Sequence, residues 1–443
     1  MKFILLLALL VACVSIEVNV MLPLTMVGKG AKLNVPESTI DGWFDRLRSV
    51  GTDGVMLDAF WGALSTDKFK FDFSPIKTIV DIARRHGLKV QLVTSWHQLG
   101  GNVGDPVFIG LPQWILDVQK QVDYDIFYRD QWGHSDPEYV SLGVADKKIF
   151  YGKSIIDIYQ MYLEQMQDQM KLYFQDGTIN ELQISLGPAG ELRYPSYISK
   201  LGDQQLWDFP GVGAFMAWSE PMLDNLRSYM NELGHPEWTT PPTDAGWWSS
   251  KPWETLFFTK GYKSDYGRSF LSWYSQQLIA YGDKVLGMVK KTIKYNTQIA
   301  AKISGIHWQY NTDSHAAEVT AGYFNTDGQD GYYPILQMFN RHGVVVDFTC
   351  LEYRNNQIDT PGANSNPENL VKQVRDDAKR IGMRFSGENA IERFDQDAFD
   401  QAYYQSTRNG PIHAITWLRL SDNMLQYDNF NRYANFVKRM HNA

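Results

Sequence analysis

The sequence predicts an α/β protein built as a single (β/α)8 TIM barrel with long loops after strands three and four. Three observations carry that expectation. Short apolar runs alternate with amphipathic helical stretches from about residue 17 onward, the strand candidates number eight, and polar residues collect just after the strands. A chain of 443 residues could hold two or three domains, yet it also fits one barrel with elaborated loops. No internal repeat, low-complexity tract or linker interrupts the alternation, which favours one domain over 16–443.

Val18-Asn19-Val20-Met21-Leu22-Pro23 reads as the first strand. Ser38-Thr39-Ile40-Asp41 resembles a capping box, opening a helix with Ile40, Trp43, Phe44 and Leu47 at helical spacing. Gly54-Val55-Met56-Leu57-Asp58 is the second strand. In the next unit Ser74 is expected as N-cap with Pro75 at the first helical position. Ile76, Ile79, Val80 and Ala83 then form one face, and Gly87 closes the helix. Strand three, 88–93, follows at once, the short helix–glycine–strand spacing of a parallel sheet.

Further strand candidates are 181–186, 299–304, 344–348, 383–386 and 412–418, with long helices expected over 154–174 and 266–293. Two stretches, 100–153 and 188–263, are too long for simple connections. Both follow strands and are rich in Gly, Pro and aromatics such as Trp247, Trp248 and Trp253, which in a barrel places them on the active-site face. An open doubly wound sheet is the alternative. No Gly-rich phosphate loop follows a strand, which disfavours its nucleotide-binding form.

The N-terminus places Lys2 before an apolar run that ends in the small residues Cys13 and Ser15, the pattern of a signal peptide over 1–15. The run is too short to span a bilayer. The competing reading is an apolar strand or buried helix at the start of the domain. Removal near Ser15 is expected, giving a secreted protein, extracellular or in a digestive vacuole, with no membrane association afterwards. It would also leave Cys350 without a disulfide partner, because Cys13 is the only other cysteine. A net charge of −8 argues against a nucleic-acid partner. The chain carries 14 Trp and 24 Tyr, a supply of flat apolar faces on which pyranose rings could stack.

The polar residues after the strands are Asp58, His97, Asp105, Glu191, Lys302 with His307, Thr349, Glu352, Glu388 and Arg419. In a barrel they converge on one pocket. Glu191 stands in a Gly- and Pro-bounded turn after strand four, and Glu388 follows Gly387 after strand seven. Glycosidic cleavage needs one carboxyl to protonate the leaving oxygen and another, ionised, to act as nucleophile or activate water. Two glutamates on separated strands could meet that need. His97 and Asp105 bracket a glycine-rich stretch that could close over substrate. No metal-ligand pattern occurs, so neither metal nor cofactor is expected. Cys350 reads as a buried wall residue rather than a nucleophile.

These segments resemble the β-amylase family over residues 18 to about 436. The resemblance rests on Val20-Met21-Leu22-Pro23-Leu24, Gly54-Val55-Met56-Leu57-Asp58, His97-Gln98 with Gly100-Gly101-Asn102-Val103-Gly104-Asp105, and Gly187-Pro188-Ala189-Gly190-Glu191-Leu192-Arg193-Tyr194-Pro195. It continues through Lys302-Ile303-Ser304-Gly305-Ile306-His307-Trp308, Phe348-Thr349-Cys350-Leu351-Glu352, Gly387-Glu388-Asn389-Ala390 and Leu418-Arg419-Leu420-Ser421-Asp422. It implies a (β/α)8 hydrolase that cuts α-1,4-glucans such as starch and glycogen from the non-reducing end, releasing β-maltose with inversion. Glu191 would be the general acid and Glu388 the general base. Asp58, His97 and Asp105 would hold the terminal glucose. Lys302, His307, Thr349, Asn389, Ala390 and Arg419 would line the remaining subsites.

The resemblance further implies a lid around 100–105 and a smaller moving loop at Thr349. No obligate protein partner is implied, and a chain ending at Ala443 leads us to expect no appended starch-binding domain. Phe60, Leu99 and Gln309 depart from the family's usual residues, where they could adjust subsite affinity. Two other readings compete: a non-catalytic glucan sensor on the same fold, and a barrel enzyme using Lys302 for Schiff-base chemistry.

Overall fold

Eight short strands, every one parallel to its neighbours, close into a barrel in the computed structural model, which describes residues 15–101, 107–358 and 360–443. They are β1 (Glu17–Met21), β2 (Gly54–Asp58), β3 (Lys89–Thr94), β4 (Ile179–Ile184), β5 (Gln298–Ile303), β6 (Val345–Phe348), β7 (Phe385–Glu388) and β8 (Ala414–Trp417). Each pairs with its sequence neighbour, and β1 pairs with β8 through Asn19 opposite Thr416 and Val20 opposite Trp417. That closing ladder excludes the open sheet. The predicted leader falls on residues outside those described, except for Ser15.

The principal helices are α1 (Glu37–Ser49), α2 (Ser74–Arg85), α3 (Ile155–Gln169), α4 (Asp265–Thr292), α5 (Tyr333–Arg341), α6 (Pro367–Arg380), α7 (Gln396–Thr407) and α8 (Tyr427–His441). Their starts correct two expectations. No capping box forms at Ser38, because α1 begins a residue earlier, behind Pro36, whose carbonyl accepts from the Thr39 and Ile40 amides. Ser74 is not the N-cap of α2 either. It is the first helical residue, and its amide donates to the Asp72 carboxylate at 2.8 Å. Gly87 does close α2, with φ +70°, a value that glycine adopts without steric cost. The helix expected over 154–174 divides at Met170 into α3 and a short second helix, Lys171–Gln175. Ser154 and Asp157 form a reciprocal capping box at its start.

Strand periodicity decides where the core sits. Val18, Val20, Val55, Leu57, Val90, Leu92, Leu182, Ile184, Val346 and Ile415 point outward and pack under the helices in one continuous apolar cluster. The alternate residues point into the barrel. There Met21, Met56 and Val93 form a separate small apolar group. Much of the remaining interior is polar: Asn19, Gln91, Glu181, Gln183, Asp347, Ser386, Glu388 and Thr416 are all buried. Gln91 donates to Glu181 at 2.8 Å and accepts from Thr416 at 2.8 Å, while Gln298 also donates to Glu181 and Gln183 to Asp347. Branched aliphatics are the common filling of such barrels. Part of this polar filling is satisfied internally by those bonds, while both side-chain polar atoms of Asn19 and the Ser386 hydroxyl are buried without a hydrogen-bond partner among the described residues.

The two long connections lie after β3 and β4, as predicted, spanning 95–154 and 185–264. The first holds an antiparallel hairpin, Phe127–Arg129 with Ser135–Val140, and the second a helix, Glu220–Glu232. Trp96 anchors the first. Its ring is fully buried and stacks on Tyr159 of α3 at 4.1 Å between centroids. Trp96→Ala should therefore cost about 3–5 kcal/mol through lost burial and an unfilled cavity. A fall in the denaturant midpoint at unchanged m-value checks it; no fall would mean that the loop is held elsewhere.

Candidate active site

A pocket of about 610 Å³ occupies the C-terminal mouth of the barrel. Asp58, His97, Glu191, Lys302, His307, Thr349, Glu388, Asn389, Ala390 and Arg419 all line it. These are the predicted site residues that fall within the described chain; Asp105, with the rest of 102–106, lies outside it. Met21, Met56 and Leu418 give part of its lining an apolar surface.

Glu191 is presented by a turn that few other sequences could make. Ala189 and Gly190 have φ of +52° and +80°. A Cβ on Gly187 would meet the Glu191 carbonyl oxygen at 2.4 Å, so that position requires glycine. The Glu138 carboxylate accepts from the Ala189 amide at 2.8 Å, pinning the turn from outside. Glu191 then pairs with Lys302 across an extension of the β4–β5 ladder, and the Leu192 amide donates to the Lys302 carbonyl at 2.9 Å. The Glu191 carboxylate accepts from Arg193 Nε at 2.7 Å, and Tyr197 Oη lies 3.4 Å away. Arg193 is itself buried with its guanidinium 4.2 Å over the Tyr197 ring.

Glu388 ends β7 behind Gly387, where a Cβ would collide with Leu351 at 2.2 Å. One carboxylate oxygen lies 2.9 Å from Lys302 Nζ, and the other has no hydrogen-bond partner among the described residues. Burial raises the Glu388 carboxyl above the usual carboxylate range. The Lys302 charge opposes that rise, and the nearby Glu191 and Asp58 charges add to it. Burial alone would depress Lys302, but the carboxylates of Glu388, Asp347 and Asp58 outweigh it and hold the ammonium charged. An amine nucleophile needs the reverse, which disfavours the Schiff-base reading. The two glutamates share no hydrogen bond with each other, and each has its own cation.

Further donors and acceptors fill the rest of the wall. Burial, with the charges of Lys302 and Arg193, depresses His97 to about 3, and burial depresses His307 to about 4, so both are neutral near pH 7. Asp58 accepts from Ser95 Oγ at 2.8 Å. Asn389 clasps the end of β8, donating to the Leu418 carbonyl at 2.9 Å and accepting from its amide at 2.6 Å. Arg419 donates to the Leu22 carbonyl at 2.8 Å. Thr349 sits close over Gly305, where a Cβ would come within 2.9 Å of its methyl group.

Glu352 does not face the pocket. It is fully buried, and its carboxylate accepts from the amides of Ala390 and Ile391 at 2.9–3.2 Å, propping the segment after Glu388. Burial pushes it up to about 7 against those hydrogen bonds. Gln309 is likewise buried and structural, donating to the Pro210 carbonyl at 2.6 Å, so it is not a subsite residue. Phe60 packs edge-on to His97 at 5.4 Å, and Leu99 lines the pocket. Cys350 is a buried thiol pushed well above its ordinary range, as a wall residue should be.

Sequence reasoning did not single out the aromatic wall. Tyr197, Trp207, Phe209 and Trp308 line one side of the pocket, with Trp308 lying 5.2–5.8 Å from the other three rings. Tyr197, Trp207 and Phe209 fall in the aromatic-rich stretch 188–263, and Trp308 ends the Lys302–Trp308 motif, but nothing in spacing separates wall aromatics from core ones. Arg193 belongs to the site too, and its proximity to Glu191 was the available signal.

Known proteins match the sequence and the fold. Residues 19–443 match the model of glycosyl hydrolase family 14. Beta-amylase of Medicago sativa and beta-amylase 5 of Arabidopsis thaliana are each 39% identical, covering 96% of this chain and 87% of theirs. The catalytic domain of beta-amylase from Paenibacillus polymyxa superposes with a TM-score of 0.80 at 28% identity, covering 97% of this chain and 99% of its own. The protein is thus a glycoside hydrolase. More particularly, the chain belongs to glycosyl hydrolase family 14.

Lys302→Met removes the charge that opposes burial at Glu388, so the carboxyl should titrate at higher pH than in the unsubstituted enzyme. The limb of the pH–rate profile that reports Glu388 should move to higher pH. An unmoved profile would show that Lys302 does not set that ionisation.

Proposed function

We propose that this enzyme removes β-maltose from the non-reducing ends of α-1,4-glucans by an inverting mechanism with Glu191 as general acid and Glu388 as general base. The observation that carries the reading is the placement of two glutamates, one in the turn after β4 and one at the end of β7, in one pocket. The exo mode of cleavage follows from the family resemblance. The family resemblance supplies the choice of end and the disaccharide product.

In the proposed step, protonated Glu191 donates to the glycosidic oxygen as the C1–O bond breaks. Glu388 takes a proton from water as that water's oxygen bonds to C1 from the opposite face, giving the β-anomer. Glu388 is suited to this because Lys302 favours its ionised form while its second oxygen has no hydrogen-bond partner among the described residues. Neutral His97 and ionisable Asp58 would hold the terminal sugar, with His307, Thr349, Asn389, Ala390 and Arg419 lining the other subsites. The aromatic wall offers apolar faces to the rings between them.

The reverse division of labour has one observation in its favour. Burial raises Glu388 while Arg193 sits against Glu191. Leaving-group chemistry separates the two. Glu191→Gln and Glu388→Gln should each lower turnover of starch by about 10³-fold or more. A maltosyl fluoride needs no proton on its leaving group, so Glu191→Gln should recover much of its rate on that substrate and Glu388→Gln should not. Recovery by Glu388→Gln instead would exchange the roles. Polarimetry should record upward mutarotation from β-maltose; initial release of the α-anomer, which mutarotates downward, would sink the inverting mechanism.

We further propose that the chain enters the secretory route by a leader over 1–15, as Lys2 and the apolar run after it suggest. N-terminal sequencing of the protein from its native source should then begin near residue 16. A mature chain starting at Met1 or Lys2 would overturn this.

A further inference from the structure

Three tryptophans outside the pocket remain unexplained by the chemistry: Trp132 is 41% exposed, Trp247 37% and Trp253 55%. They are not scattered. Trp132 and Trp247 meet at 4.5 Å between centroids, with their planes inclined by 61°. Both are held from below by one carboxylate. Asp130, whose side chain has no exposure, accepts from the Trp132 amide at 3.0 Å, from the His134 amide at 2.8 Å and ring at 2.6 Å, and from the indole N–H of Trp248 at 2.9 Å. Trp248 is buried beside Trp247. Four hydrogen bonds onto one buried carboxylate therefore lock the hairpin that carries Trp132 to the segment that carries Trp247.

That segment is also continuous with the pocket. The Asp208 amide donates to Ser249 Oγ at 2.8 Å, and the Val212 and Gly213 amides donate to the Ser250 and Trp248 carbonyls at 2.9 Å each. The strip so fastened contains Phe209, a pocket-lining ring that is itself 37% exposed. On its other side Trp253 covers Gly362, where a Cβ would meet the indole at 3.2 Å, two residues from the pocket-lining Thr360. The 247–253 segment thus spans two stretches of the pocket rim and presents an indole at either end.

We infer that Trp132, Trp247 and Trp253 form an external track for α-glucan, on which the part of the chain left outside the pocket stacks its pyranose rings. The inference rests on the glucan-hydrolase reading above. Exposed indoles on a segment fastened to the pocket rim suit a polysaccharide, whose rings each offer one apolar C–H face edged by hydroxyls. A protein partner would need a contiguous buried patch of about 800 Å² per side. Preorganisation by Asp130 means that binding does not have to order the loops.

The test compares a long insoluble substrate with a short soluble one. In Trp132→Ala/Trp247→Ala, and separately in Trp253→Ala, adsorption to granular starch should weaken, by about tenfold in the double variant. Turnover of maltotetraose, only four rings long, should stay unchanged. The corresponding Phe variants should keep most of the adsorption, since they retain an aromatic face. Unchanged adsorption, or equal losses on both substrates, would overturn the track. So would a changed sedimentation coefficient with adsorption intact, which would mark a protein contact. An unsubstituted enzyme that releases maltose from maltotetraose but does not adsorb to starch overturns the track and leaves the function standing; one that releases none overturns both.

Discussion

A closed parallel barrel forces every second strand residue inward, and most of this site follows from which residues those are. Apolar side chains at the other positions satisfy the helices outside. The inward set is dominated by amides, carboxylates and hydroxyls, bonded across strands distant in sequence, as when Thr416 of β8 reaches Gln91 of β3. The barrel interior is thereby both core and foundation of the pocket. Shifting any strand by one residue would turn its inward polar residues into the greasy layer beneath the helices. Register is for this reason tightly specified.

Within that interior the charge balance turns on Lys302. Its ammonium faces Glu388 directly, and the charges of Asp347 and Asp58 also act on it. Burial drives Glu181 up to about 7 and raises Asp347 well above its ordinary range, so the lower carboxylates favour holding protons while the charge of Lys302 favours ionised Glu388. Glu191 lies on the other side of Lys302 along the extended β4–β5 ladder, and its charge is met separately by Arg193. One strand end thus joins the two glutamates structurally while giving them different electrostatic surroundings. This is the condition under which two like groups can take opposite parts in one reaction.

The loops after β3 and β4 supply what strands cannot: aromatic faces. Buried carboxylates hold these loops in two places. Glu138 pins the turn that presents Glu191, and Asp130 joins the hairpin to the tryptophan segment. Glu352 does similar work after β6, gripping two amides just beyond Glu388. At Asp130 and Glu352 the desolvation cost of a buried carboxylate is offset by several N–H donors.

The linear sequence determined the strands, the approximate helices, the two long loops and the residues at the strand ends. Those depend on periodicities of two and 3.6 and on glycine and proline punctuation, which are local. Local signals failed at helix starts, where Pro36 and Asp72 displaced the serines expected to cap, because a cap depends on the conformation of the residue before it. Motif resemblance carried the pocket residues further than spacing could. Tertiary structure alone decided that Glu352 and Gln309 are props rather than subsites, that Arg193 and the Trp207–Trp308 wall belong to the pocket, and that Lys302 stands between two glutamates. Each of those facts is a distance between residues remote in sequence, and side-chain burial, hydrogen bonding and charge act through such distances rather than through position along the chain.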